Sequence, residues 1–264
     1  MRQLRWISLA LLVPAVFLVD ACSDSTGPGS ATPATLDVAS LVAKASLGSL
    51  ETLGAAMVGG VVTLTPSPVV AACRYSAASQ SFTCPALTMD GLTVSVSYTL
   101  LDAAGHPQAA ADPGTIDAIR TITDISGALQ PPGGMGAGPI TMNSHRDVTL
   151  SGLLAAHYLV NGTGTSSSSS TSGTGGTFEP MSSQETESIV NLAVPPVGSA
   201  SPWPTSGTIV MDATSTFGGL PAVASHVTMT FAGGGALTMV MTTGSFTSTC
   251  HLNLNNPGAG VTCS

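Results

Sequence analysis

Along most of the chain, apolar and polar residues alternate at every second position, beginning near Gly60. In Thr93–Leu100, sequence TVSVSYTL, apolar and aromatic residues are separated by Ser and Thr. Because successive side chains of a strand lie on opposite faces, this period of two predicts a strand that is buried on one face only. The β-branched residues of the segment favour the same interpretation.

The segment from Gly207 to Leu254 repeats the alternation through several reversals. Val227 and Phe231 share one face, and the glycines at 233–235 allow a tight turn before Leu237 resumes the pattern. The segment therefore predicts an antiparallel meander. Weaker strand patterns occur at 69–77, 80–89, 117–129, 139–152, 154–164 and 187–194. Roughly ten such segments predict a mainly β protein with a single large antiparallel sheet, either curled like an open barrel or packed as a sandwich.

Two segments depart from this pattern. Leu36–Met57 places several apolar residues on one helical stripe and is the candidate N-terminal helix, with a strand-like or irregular packing as the alternative. The tract 162–177, rich in Ser, Gly and Thr, predicts a disordered hairpin loop inside the sheet, with a linker between two domains as the alternative. Residues 36–264 are thus interpreted as a single β-rich domain.

The first residues have the layout of a secretory signal peptide. Arg2 and Arg5 precede an apolar run from Ile7 to Val19, thirteen residues long. As a helix that run covers about 20 Å, whereas crossing a membrane core takes about 30 Å. A cleaved leader over residues 1–21 is therefore favoured over a permanent membrane span.

The sequence Val19-Asp20-Ala21-Cys22 resembles the lipobox of bacterial lipoproteins. The resemblance covers only residues 1–22, and it implies that Cys22 carries diacylglycerol and becomes the acylated first residue. Several acyl chains together make a stable membrane anchor. The alternative is a free thiol behind an ordinary signal peptide. Residues 22–35 then form a flexible tether, and Ser23 favours the outer over the inner membrane for this exported protein.

The other four cysteines form two close pairs in sequence, Cys73 with Cys84 and Cys250 with Cys263. Four cysteines allow three connectivities, and the two local bridges are favoured because both intervals read as short hairpins. Disulfides fit an oxidising compartment outside the cytosol. A zinc site is disfavoured because neither pair has the short CxxC spacing of zinc knuckles. No metal or other cofactor is expected.

Charge excludes two classes of partner. Of six basic and fourteen acidic residues, removal of the leader takes away Arg2, Arg5 and Asp20 and leaves four against thirteen, a formal net charge of −9. Nucleic acid and anionic lipid surfaces both need a Lys/Arg patch, so neither is expected to bind. Only 8% of residues are charged, against about 25% in typical soluble domains. Ser, Thr, Asn and Gln must therefore make the surface soluble.

No motif for catalysis stands out. The five histidines are far apart in sequence. The string Ser144–Asp147, SHRD, contains nucleophile, base and acid types, but neighbours in a strand point to opposite faces and do not make a triad. No GxSxG elbow and no phosphate-binding loop are present. An enzyme, such as an envelope hydrolase, is therefore the less favoured interpretation.

Methionine is the unusual feature of the meander. Since Met adapts to irregular space, plain core filling is the favoured interpretation of these methionines, with a candidate apolar ligand pocket or a Cu(I) site beside His226 as the alternatives. The pocket residues are Met211, Met229, Phe231, Met239 and Met241. The expected function is a membrane-anchored envelope lipoprotein with a binding or structural role, whose partner is an envelope protein or a glycan. The alternative is a carrier or chaperone for a lipid-like ligand.

Overall fold

The computed structural model describes residues 73–89, 91–112, 114–129, 138–155, 158–172, 179–195, 203–256 and 262–264. Every regular element in these ranges is a β-strand. The leader, Cys22, the tether and the candidate helix at 36–57 lie outside the described residues. Within the part of the chain that the structure describes, no helix is long and apolar enough to cross a membrane.

The strands are β1 (Arg74–Ser76), β2 (Ser81–Thr83), β3 (Leu87–Met89), β4 (Leu92–Asp102), β5 (Pro107–Gln108), β6 (Ile116–Leu129), β7 (Ile140–Ser151), β8 (Tyr158–Ser172), β9 (Glu179–Val194), β10 (Ser206–Phe217), β11 (Val223–Phe231), β12 (Ala236–Thr243), β13 (Phe246–Asn253) and β14 (Thr262–Cys263). All fourteen belong to one sheet.

The sheet is an antiparallel meander in which neighbours in sequence are neighbours in space. Its order is β1-β2-β4-β6-β7-β8-β9-β10-β11-β12-β13-β14, with β3 and β5 also pairing with β4. Among the described strands β1 and β14 do not pair with each other, so the sheet is open. The prediction of a single large antiparallel sheet is confirmed. The predicted meander from 207 to 254 is confirmed as β10 to β13, and each weaker pattern contains a strand.

On one face of the sheet, the side chains near one end of the strands are buried. The register aligns Ile209 with Met229, Met229 with Met239, and Met239 with Cys250. These four side chains are between 0% and 1% exposed. Removing such a side chain from water contributes about 1.5–3 kcal/mol. The core is therefore a row of direct cross-strand contacts, which extends from Leu150 in β7 to Leu254 after β13.

A smaller cluster of Leu100, Ile116 and Ile119 lies towards the β1 side of the sheet. Phe82 packs against it and stacks on Tyr98, with ring centroids 4.8 Å apart and planes 5° from parallel. Offset aromatic pairs of this kind add to the stability given by burial alone. The short strand β2 is thereby held on β4.

Both disulfides are found as predicted, and each lies at an edge of the sheet. Cys73 is bonded to Cys84 across the β1–β2 hairpin, and Cys250 is bonded to Cys263 between β13 and β14. Open edges expose unpaired backbone groups to other chains, and short strands along an edge reduce that exposure. The bridges therefore hold the short strands that cover the two edges.

The prediction of a disordered loop at 162–177 is wrong for its first part. Residues 162–172 belong to β8, which pairs with β7 on one side and β9 on the other. The low-complexity composition is compatible with a strand because two neighbouring strands supply the hydrogen-bonding partners along its length. Residues 173–177 lie outside the described residues.

An extra residue in β9 interrupts its ladders with β8 and β10 at the same level. Register shifts occur between Val160 and Gly162 and between Ser206 and Thr208. Asn191 has φ 48°, and its amide donates to Asn161 Oδ1 at 2.7 Å. Bulges bend strands and increase their twist. Strand β9 is therefore expected to bend beside the core.

Gly207 has no sterically acceptable replacement at this bulge. Its φ is 109°, and a Cβ there would lie 2.5 Å from Asn191 O and from Leu192 Cα. We expect Gly207→Ala to lower the free energy of unfolding by about 2–4 kcal/mol, since backbone strain and a clash with main-chain atoms act together. Urea unfolding of the purified protein measures this.

The matched control is Gly219→Ala, where an added Cβ meets no atom within 4 Å. We expect this substitution to change stability by less than about 1 kcal/mol. Equal losses for the two variants would contradict the steric explanation of Gly207.

Candidate functional site

On the face opposite the core, polar residues form a continuous cross-strand row. The register joins, from β6 to β11, Asp124, His145, Thr165, Thr186, Asp212 and His226. A second polar row runs beside it from β6 to β10, through Ser126, Asn143, Ser167, Gln184 and Thr214. Strand alternation places all these residues on one side of the sheet.

The two rows line a groove with a volume of about 590 Å³ that spans five strands, β6 to β10. Its walls are hydroxyl, amide, imidazole and carboxylate groups. Adjacent residues of the opposite parity, among them Ser144 and Ser166, also line the groove. We call this feature the polar groove.

An Asp–His pair lies at each end of the polar groove. His145 Nδ1 is 2.7 Å from Asp124 Oδ1, and His226 Nδ1 is 2.7 Å from Asp212 Oδ1. The four side chains are about half exposed. Two carboxylates, those of Asp124 and Asp212, face the groove from the polar rows, and the lining contains no Lys or Arg. The groove therefore disfavours phosphate, sulfate and carboxylate ligands.

His226 also contacts a hydroxyl group. Its Nε2 lies 3.1 Å from Thr228 Oγ1 while its Nδ1 faces Asp212, so hydroxyl, imidazole and carboxylate follow each other as in hydrolase triads. Hydrolysis of an acyl group also needs free donors for the oxyanion. Strand β11 pairs along both edges, with β10 and β12, so its backbone amides serve the sheet. The contacts of His226 with Asp212 and Thr228 therefore align β10 with β11. They do not by themselves form a catalytic site.

On the core face, an ion pair crosses the middle strand β8. Arg146 Nη2 of β7 lies 2.9 Å from Glu187 Oε2 of β9, and the Glu187 side chain is only 6% exposed. The pair is possible because β8 carries Gly164 between them, where a Cβ would lie 3.1 Å from both Arg146 Cγ and Glu187 Oε2. A buried carboxylate without such a partner would be strongly destabilising.

The surroundings of Glu185 and Glu187 favour the protonated form of both carboxyl groups. Burial raises the pKa of Glu187, and the nearby Arg146 opposes that rise. Burial also raises the pKa of Glu185, and the charge of Glu187 raises it further. Among the residues that the structure describes, no group of three or more His, Cys, Asp or Glu is placed to hold a metal ion.

The predicted pocket residues lie on the core face. Met229, Phe231, Met239 and Met241 are buried in the core cluster, and Met211 packs against its border. The candidate apolar ligand pocket remains a prediction, and a ligand there would have to separate these packed side chains. Strand alternation puts His226 on the polar face and Met229 on the core face, which disfavours the copper alternative.

The string SHRD is divided between the two faces, as strand geometry requires. His145 and Asp147 lie on the polar face, where Asp147 Oδ1 accepts a 2.8 Å hydrogen bond from Arg120 Nε. That hydrogen bond lowers the pKa of Asp147. The polar groove itself was not predicted, because its residues come from five strands and only the cross-strand register brings them together.

Comparison of the chain with known proteins gives no match. No protein-family model, no curated protein and no solved structure matches it. The functional interpretation therefore depends on the residues and geometry of this chain.

The raised pKa values of Glu185 and Glu187 predict how stability depends on pH. A carboxyl whose native pKa lies above its ordinary value, 4.5, binds its proton more tightly in the folded state. Its stabilising effect is complete below about pH 4.5 and is lost as pH rises through the native pKa. We expect the free energy of unfolding to fall above pH 4.5, and Glu185→Gln to reduce that fall and to be the more stable protein at pH 7.

Denaturant unfolding between pH 4.5 and pH 8 measures both slopes. Glu179→Gln, at the exposed start of β9, is the matched control and should keep the slope of the unsubstituted protein. If Glu185→Gln left the slope of unfolding free energy against pH unchanged, the buried Glu185 carboxyl would not be a cause of the pH dependence.

Proposed function

We propose that this protein is an exported lipoprotein, fixed to the bacterial envelope through Cys22, and that its β-sheet domain binds a partner there. The apolar run behind Arg2 and Arg5 and the lipobox-like sequence ending at Cys22 support the anchor. The outer membrane is the favoured destination. The tether of 22–35 would give the domain freedom to reach its partner from the membrane surface.

The disulfides are consistent with that address. Such bonds persist in the oxidising periplasm or at the cell surface and are rare in the cytosol. In an open sheet whose edges are covered by short strands, they also protect the domain from edge-to-edge association. Both disulfides would therefore be useful to a large open sheet outside the cytosol.

The polar groove is the observation that carries the binding role. It is a groove on the face that contributes nothing to the core, and every lining residue except Ile125 has a polar side chain. Hydroxyl and amide groups in such a place suit a glycan or a polar segment of an envelope protein. Binding on this face leaves the apolar packing undisturbed.

A carrier for a lipid-like ligand is the alternative function. Its support is the concentration of methionines on one face of β10, β11 and β12. Met229 and Met239 are each 1% exposed and pack against each other's strands. A carrier would therefore have to open its core, which makes the alternative weaker than binding in the polar groove.

Intact-mass analysis of the full-length protein, expressed in a bacterial host and extracted from its membranes, tests the anchor. We expect loss of residues 1–21, an added diacylglycerol and acyl group, and a mass four hydrogens below the fully reduced chain from two disulfides. The Cys22→Ser variant should lack the lipid and leave the membrane fraction, whereas Ser23→Ala should behave as the unsubstituted protein. An unprocessed chain, or a bare Cys22 thiol, would overturn the proposal.

A further inference from the structure

We propose that the polar groove binds a linear oligosaccharide that carries no acidic groups. The inference rests on the binding role proposed above and narrows it to one class of ligand. It is independent of the lipid anchor, because every residue that carries it lies on strands β6 to β11.

The shape of the groove fits an extended chain of sugars. Neighbouring strands lie about 4.8 Å apart, so its five strands span about 19 Å. Thr165 and Thr186 face each other across β8 and β9 at the middle of this span, between the two Asp–His pairs. Polar groups therefore repeat at a regular spacing along a line, which a single sugar would not occupy.

The hydroxyl and amide groups of the groove are available to a ligand. Among the described residues, the side chains of Asn143, Thr165, Gln184 and Thr186 form no hydrogen bond with another protein group, whereas some other hydroxyls of the same face are paired with each other. Ser182 bonds to Thr216 at 2.7 Å, and Thr242 bonds to Thr247 at 3.1 Å. The groove therefore presents donors and acceptors that the protein itself does not use.

Its carboxylates set the preference for sugars without acidic groups. In each Asp–His pair the histidine contacts only Oδ1, at 2.7 Å, which leaves Oδ2 of Asp124 and Asp212 as acceptors for sugar hydroxyls. A carboxylate or phosphate on the ligand would meet these negative charges with no Lys or Arg in the lining to offset them. Hydrogen bonds from neutral hydroxyls to carboxylates are favourable.

No aromatic side chain lines the groove, so a sugar ring has no platform on which to stack. Binding then depends on hydrogen bonds exchanged with water, each of which contributes little. We expect a dissociation constant of roughly 1 mM for one oligosaccharide chain. Many anchored copies on one membrane would raise the effective affinity for a polymeric glycan.

Saturation-transfer NMR with the full-length protein in neutral detergent micelles tests the inference. The probes are cellohexaose, which is neutral, and hexagalacturonate, which has the same number of sugars with a carboxylate on each. We expect cellohexaose to bind and hexagalacturonate to bind at least about tenfold more weakly because of repulsion by the groove carboxylates. Binding of neither probe, or equal binding of both, would overturn the inference.

Substitutions locate the binding. The double variant Thr165→Val/Thr186→Val keeps the shape and β propensity of both side chains but removes both hydroxyls, and we expect it to weaken cellohexaose binding about tenfold. Thr242→Val, on the same face at β12 but outside the groove, is the matched control and should bind normally. If the groove and control variants weakened cellohexaose binding equally, that result would also contradict the proposed site. Failure here with an acylated Cys22 would reject the glycan ligand while leaving the anchored lipoprotein in place.

Discussion

The structure depends on apolar contacts between neighbouring strands on one face of an open sheet. Ile209, Met229, Met239 and Cys250 are nearly inaccessible to water and follow one another across four strands. Because strand side chains alternate, burying this set fixes the opposite set on the other face. A slip by one residue would bring Thr and His into the core. The polar face, with its Asp–His pairs and its groove, is therefore a consequence of the register that the core selects.

Away from the core, the sheet continues with little apolar packing. Ser168, Ser183 and Ser215 occupy the core face in neighbouring strands, and the Arg146–Glu187 pair lies between them and the apolar residues. In this part the hydrogen-bonded ladder, and the attachment of each strand to neighbours on both sides, hold the strands together. The groove extends over this polar part, where ligand binding would not compete with the core. The disulfides act at the two edges, where β1 and β14 have only one neighbour among the described strands.

The sequence predicts much of this fold but little of the groove. Alternation in Thr93–Leu100 and in the meander is a local property, and so is the spacing of Cys73 from Cys84, so both were predictable. The Ser tract from 162 to 172 has no alternation, and its strand is determined by β7 and β9, which composition does not reveal. Asp124 lies near His145, and Asp212 near His226, only through the cross-strand register, which no local sequence pattern specifies. The role of Gly164 follows only from the structure, in which Arg146 and Glu187 form an ion pair across it.

Amide hydrogen exchange, resolved by residue, tests most directly whether the ladder extends beyond the core as a single sheet. We expect the amides around Ile189, Ile209 and Met229 to exchange slowest, by global unfolding, and those of 166–169 to be protected by a smaller but measurable free energy. Exchange of the 166–169 amides at the rate of an unfolded chain, with the core still protected, would contradict the account. The polar groove would then lack the strand that forms its middle.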